Sequence, residues 1–191
     1  MSEAKDASLN MIKKVEGEVV EKGIGNNIGH KTEANIIAER AKNLDLAPRE
    51  IPYKIMGSKK MKQLKEKIEN RTISKEEWKQ FKWNKRFKRR RDIGVDNFWE
   101  QERERLLNGE STRNWTSEQI RDIINGNVPK HNGKTLIGHH VYSASKYPQI
   151  ANRGEIIYPV TFKEHLYRWH GGNYKQSLPG KPLNELFGNE F

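Results

Sequence analysis

Gly138-His139-His140-Val141-Tyr142-Ser143, followed by Tyr158-Pro159-Val160-Thr161 and Glu164-His165-Leu166, is the stretch whose reading decides the fold. Just ahead of it, Asn132-Gly133 is a hairpin signal, because both residues tolerate the left-handed backbone of a tight turn. The sequence therefore predicts an outgoing strand from Lys134 to Val141. Ile156-Ile157-Tyr158 reads as a second short strand, stopped by Pro159. Thr161-Phe162-Lys163-Glu164 has the capping-box form, which opens a helix, and Gly171-Gly172 closes it.

Four of the six histidines, His139, His140, His165 and His170, fall in this strand-strand-helix stretch. Imidazoles from a first strand and from the helix after a second strand can converge on one point, and neutral imidazole is a common transition-metal ligand. Adjacent residues on a strand face opposite ways. His139 and His140 are therefore expected to hold separate roles, one binding metal and the other activating water. His165 and His170 stand five residues apart, about 500° of ideal helix, and do not share a face. His170 is expected to join a site only if the helix ends or tightens near Trp169. Glu164 is read as the capping-box partner of the backbone, and Trp115 and Trp169 as core anchors. His30 and His131 sit in expected turns with no assigned role.

The segment from Trp115 to Tyr174 resembles the nuclease toxins named for their Gly-His-His signature, within the HNH/endonuclease VII superfamily. The matching pieces are Gly138-His139-His140-Val-Tyr-Ser, Tyr147-Pro148, Tyr158-Pro159-Val160-Thr161, Glu164-His165-Leu166 and Trp169-His170-Gly171-Gly172-Asn173, in that order. Residues before about 110 fall outside this resemblance. It implies a ββα-metal unit around one divalent cation (Mg, Mn, Zn or Ni), with His139, His165 and His170 as ligands and His140 as general base. It further implies a C-terminal warhead of a larger polymorphic toxin: an endonuclease of low sequence specificity used in interbacterial competition, with DNA favoured over RNA. Such a domain is secreted or delivered into the cytoplasm of a target cell, and a cognate, acidic immunity protein neutralises it. Arg153, Lys163 and Arg168 are the candidate phosphate clamps. Many HNH proteins carry an Asn shortly before the helix. Ile156 occupies the corresponding position, which leaves Asn152 or Glu155 as substitutes. A second reading, a catalytically inactive histidine-rich nucleic-acid-binding module, stands beside the nuclease.

Outward from this stretch the chain is basic. Its 36 Lys and Arg exceed 25 Asp and Glu, for a net +11, which favours a polyanionic partner. The segment from Lys54 to Arg91 alone holds 16 Lys or Arg against four acids, so its +12 exceeds the total for the whole chain. Ser74-Lys75-Glu76-Glu77 is a second capping box, and Trp78, Phe81, Trp83 and Phe87 interleave with the bases. Three readings of this segment stay open: a solvated helix with one buried stripe, a nucleic-acid platform with stacking from Trp78 or Trp83, and a dock for an acidic protein. A separate, more acidic helix is expected from Asn97 to Leu107, packed on the basic one. A further helix follows the Thr116-Ser117-Glu118-Gln119 box and ends at Gly126.

The fold class expected is α+β, a mostly helical N-terminal half followed by the nuclease unit. Its divisions are a flexible lead-in at 1–32, a basic helical region at 33–110, and the nuclease domain at 111–191. With no cysteine there are neither disulfides nor thiolate metal sites. No apolar run approaches a membrane span, and the first residues lack the apolar core of a signal peptide, so no membrane partner is expected.

Overall fold

A computed structural model describes Asn10, Lys13 to Val15, Gly17 and residues 31–191. Most of the expected lead-in, with Gly23 to Gly29 and His30, lies outside the described residues. Val15, however, is helical and 3% exposed, packed into the main core.

The described residues form an α+β fold. Helix α1 (Glu33–Ala41) starts at Thr32, whose hydroxyl accepts from the amide of Asn35. Helix α2 (Ser58–Glu69) follows the proline-containing segment, and α3 (Lys75–Leu107) runs for 33 residues. Helix α4 (Ser117–Ile124) precedes the small hairpin of β1 (Lys130–His131) and β2 (Lys134–Thr135). Strands β3 (Ile137–His140) and β4 (Ile157–Val160) pair antiparallel, and a π-helical turn (Glu164–Trp169) follows them. No helix among the described residues is long and apolar enough to cross a membrane.

All three capping boxes close as expected. The Ser74 and Thr116 side chains accept from the amides of Glu77 and Gln119, and those side chains accept back from the capping residues' amides. Thr161 and Glu164 do the same, at 2.8 and 3.1 Å. Asn132 (φ 48°) and Gly133 (φ 74°) make the β1–β2 turn.

Three expectations are corrected. First, the basic and acidic helices are one: α3 passes through Ile93-Gly94-Val95 without a break. A change of charge does not end a helix when neither proline nor a cap intervenes, and the central glycine is needed because the carbonyl of Ala151 occupies the space of its missing Cβ. Second, the strand from Lys134 is divided. β2 completes the hairpin, whereas β3 leaves it to pair with β4, with His139 opposite Tyr158 and His140 opposite Ile157. Third, Pro159 lies inside β4 opposite Gly138 instead of stopping it. Its carbonyl accepts from Arg113, so its backbone edge faces away from β3 and no ladder donor is lost.

Helix α3 is the strut of the molecule. Phe98, Trp99 and Leu106 pack with Ile37 and Ala41 of α1, Ile120, Ile123 and Ile124 of α4, and Ile156, Ile157, Val160 and Trp169 behind the two strands. Trp115 (7% exposed) and Trp169 (1%) are core anchors, as expected from sequence. The chain between β3 and β4 crosses α3 closely. A Cβ on Gly154 would sit 2.7 Å from the backbone nitrogen of Phe98 and 2.8 Å from the backbone carbon of Asn97. Neither atom can yield without bending α3. Gly154→Ala is therefore expected to destabilise the fold by about 2 kcal/mol or more, read as a lower urea midpoint at unchanged m-value.

Candidate metal centre and its neighbouring histidine

His139 comes from the C-terminal half of β3 and is 5% exposed, with its ring 4.9 Å from that of Trp169. His165 comes from the π-helical turn and His170 from its end. The three rings lie 4.8–5.0 Å apart by centroid, and one nitrogen from each falls within 4.8 Å of the others.

The expectation that His170 joins only if the helix ends or tightens near Trp169 is met by its ending there, with His170 as the C-cap, although the turn widens where a tightening was the other possibility. The amide of His170 donates to the carbonyl of His165 at 3.2 Å, five residues back, and that of Gly172 donates to Leu166 at 2.7 Å. An i→i−5 bond sets residue 170 over residue 165, so both imidazoles look toward His139.

Two details fit this donor set to a cation. The Nδ1 of His170 lies 2.6 Å from the carbonyl oxygen of Gln176, which can only accept, so Nδ1–H donates and Nε2 presents its lone pair. That Nε2 stands 3.2 Å from the Nε2 of His165. Two nitrogens on one zinc-sized ion in tetrahedral geometry stand about 3.3 Å apart. Burial drives His139 well below the ordinary imidazole range, with the fields of His165, His170 and His140 adding to it. Burial and then His170 lower His165 to about 4. Both rings are thus neutral at pH 7, as metal binding requires.

His140 is not in this cluster. It points from the other side of β3, half-buried, with Nε2 2.8 Å from the carbonyl oxygen of Ala151. That carbonyl can only accept, so Nε2 carries the proton and Nδ1 is the free basic atom. Burial lowers His140 to about 4; the Ala151 bond opposes this shift and Arg91 reinforces it. Arg91 and Asp92 of α3 are its charged neighbours.

The candidate phosphate clamps separate. Lys163 is exposed. Arg153 is exposed but paired with Glu155 at 2.6 Å. Arg168 is corrected: it is 8% exposed, paired with Glu33 at 3.0 Å, and bonded to the carbonyls of Glu185 and Phe187. Its place in the widened turn aims it into the fold, where four of its five hydrogens are taken, so it is not set to clamp a phosphate. Ile156 is fully buried in the core. The two substitutes for an Asn there are engaged elsewhere: Asn152 accepts from Arg90 and Asn97, and Glu155 accepts from Gln101 and Arg153.

Sequence reasoning gave no role to Tyr174, whose ring lies 5.2 Å from both His165 and His170 while remaining 51% exposed. It stands at the mouth of the cluster. Nor did it find Gln176, because a backbone carbonyl carries no side-chain signature.

Residues 82–161 match the model of a family described as GHH signature containing HNH/Endo VII superfamily nuclease toxin. The match starts inside α3, earlier than the limit near 110 drawn from the motifs, and it takes in His139 and His140 but stops before His165. Its early start agrees with the packing, since Val95 of α3 lies against Gly138 and the Ala151 carbonyl against Gly94. No curated protein and no solved structure matches the chain. Over the Gly138-His139-His140 signature and its α3 support, residues 82–161, the chain is thus similar to the GHH-signature nuclease toxins of the HNH/Endo VII superfamily.

Proposed function

We propose that this chain is a divalent-metal-dependent endonuclease that hydrolyses nucleic-acid phosphodiester bonds, DNA in preference to RNA, and that β3, β4 and the widened turn form its ββα-metal unit. The observation that carries this reading is the meeting of His139, His165 and His170, with donor atoms within 4.8 Å, beside a neutral His140 on the same strand.

His139, His165 and His170 would hold the cation. When bound, it supplies a Lewis acid that neutralises charge developing on phosphate oxygens. The other parts belong to the chain. The Ala151 carbonyl fixes the tautomer and ring plane of His140, leaving Nδ1 to take a proton from the attacking water. As the new P–O bond forms, the opposite one breaks and the leaving oxygen gains a proton from solvent. Lys163, and Arg153 if it exchanges Glu155 for phosphate, orient the strand. Contacts of that kind reach the backbone and carry no base information, so cleavage is of low sequence specificity.

The family supports the wider role. The domain acts as a delivered effector in the cytoplasm of a target cell in interbacterial competition, and an acidic immunity protein blocks it in the producer. In this reading the nuclease proper is 111–191 and the basic helical region 33–110, with α3 as the strut they share.

A second reading, a histidine-stapled binding module without catalysis, is favoured by one observation: Ile156 is buried where an Asn is expected. Supercoiled plasmid separates the two. With Mg, Mn, Zn or Ni supplied singly, nicking that chelator abolishes is the expected result. Retention of the plasmid on the protein without nicking, under every cation, selects the module.

A further inference from the structure

The cluster of cations along α2 and the first half of α3 is not used by the site described above. Lys75, Lys82, Arg86 and Arg89 recur at steps of seven, four and three along one outward stripe of α3, all exposed and without an ion-pair partner among the described residues. They span about 21 Å of helix axis, the rise of about six base pairs. Lys59, Lys60 and Lys62 of α2 are likewise exposed and unpaired. Three of the four local acids do not offset this charge, because Glu69, Glu76 and Glu77 are taken by Lys65, Lys79 and Lys67, which leaves Glu66 alone against the row. Like charges three or four apart on a helix repel each other, and a bound polyanion removes that repulsion.

The aromatic residues decide which polyanion fits. Phe87 is buried, Trp83 stacks on it at 4.7 Å, and Tyr53 meets Trp83 edge-on at 6.1 Å. Phe81 stacks against Trp78 at 6.2 Å. Phe87 and Trp83 brace the arm against Ala144 and Ala151, and of these rings only Trp78, at 41% exposure and under Lys82, faces solvent substantially. A single-strand platform needs successive free rings for successive bases, which this face lacks. What remains is a straight row of cations suited to phosphates.

We infer that α2 and the N-terminal half of α3 form a docking arm for the backbone of double-stranded nucleic acid. The inference rests on the nuclease reading for its choice of partner, and it is tested by binding without cutting.

The experiment titrates the full chain into a fluorescently labelled 30-base-pair duplex by anisotropy, in chelator, across a series of salt concentrations. Replacing Lys75, Lys82, Arg86 and Arg89 together with Gln is expected to lower the slope of log K against log salt by about 3, and to weaken binding about tenfold or more at 0.1 M salt. The charge-conserving set K75R, K82R, R86K and R89K should bind as wild type, and all variants should keep their far-UV helicity. Wild-type slope and affinity in the folded Gln variant would overturn the proposal. So would a Gln variant that loses single-stranded binding as much as duplex binding. Failure of the nuclease reading looks different: salt-sensitive duplex binding by the wild type with no nicking under any cation.

Discussion

His140→Ala is expected to lower phosphodiester cleavage roughly 100- to 10,000-fold, the usual contribution of a positioned general base, while cation binding is retained. The expectation rests on the division of labour across β3. His139 faces the two imidazoles of the widened turn, whereas His140 faces the Ala151 carbonyl and α3. Truncating His140 therefore leaves all three candidate ligands in place. His139→Ala should lose both cleavage and tight cation binding, because it removes the buried member of the cluster. The competing structural account of His140 is that its bond to Ala151 merely ties β3 to the following loop. On that account the variant loses about 1 kcal/mol of stability and its folded fraction cleaves normally. Cobalt uptake, urea melts and turnover, measured on the same preparation, separate these outcomes. Restoration of part of the activity by added imidazole would be decisive for the base, and wild-type turnover in the folded variant would end that assignment.

What could be read from the sequence was whatever is local. A capping box is settled by two residues three apart, and Ser74, Thr116 and Thr161 all cap as their neighbours dictate. Asn132-Gly133 likewise carries its turn in its own backbone preference. The opposite facing of His139 and His140 follows from strand geometry alone. What could not be read depends on partners distant in the chain. The basic and acidic stretches look like two helices, and only the Ala151 carbonyl laid against Gly94 shows why a glycine stands inside one. Pro159 looks like a strand stop until its outer edge is seen to meet Arg113. Arg168 looks like a free cation because Glu33, its partner, lies 135 positions away. The widened turn is the hardest case. Nothing in Glu164 to Trp169 itself calls for i→i−5 bonding, and an ideal helix would have sent His170 away from the site. The turn is held by its surroundings, with Trp169 buried, Arg168 pinned and Glu164 clamped.

That clamp makes Glu164→Ala the substitution expected to cost the most stability. The Glu164 carboxylate takes both arms of the Arg113 guanidinium, at 2.7 and 2.8 Å, and also accepts from the amides of Thr161 and Glu190. Both side chains are almost wholly buried. Burial alone would push the Glu164 carboxyl up, but Arg113 and the two amides more than reverse it, so the group stays ionised below the ordinary carboxylate range. Arg113 is further held by the carbonyls of Pro159 and Phe191 and by the Phe191 ring, 3.7 Å from its guanidinium carbon. Removing the carboxylate leaves a buried cation and two amides without their acceptor, a loss of about 3–5 kcal/mol, against about 5–15 kcal/mol for a typical domain. The exposed pair of Lys67 and Glu77 sets the contrast, since its loss is expected to fall within about 1 kcal/mol. Glu164→Gln keeps the shape and one acceptor and should lie between these limits. The consequence reaches the site because Glu164 opens the turn that carries His165 and His170. In the folded fraction of Glu164→Gln, cation affinity should fall although no ligand has been touched. Wild-type affinity together with a wild-type urea midpoint would show that the turn is set by something other than its clamp.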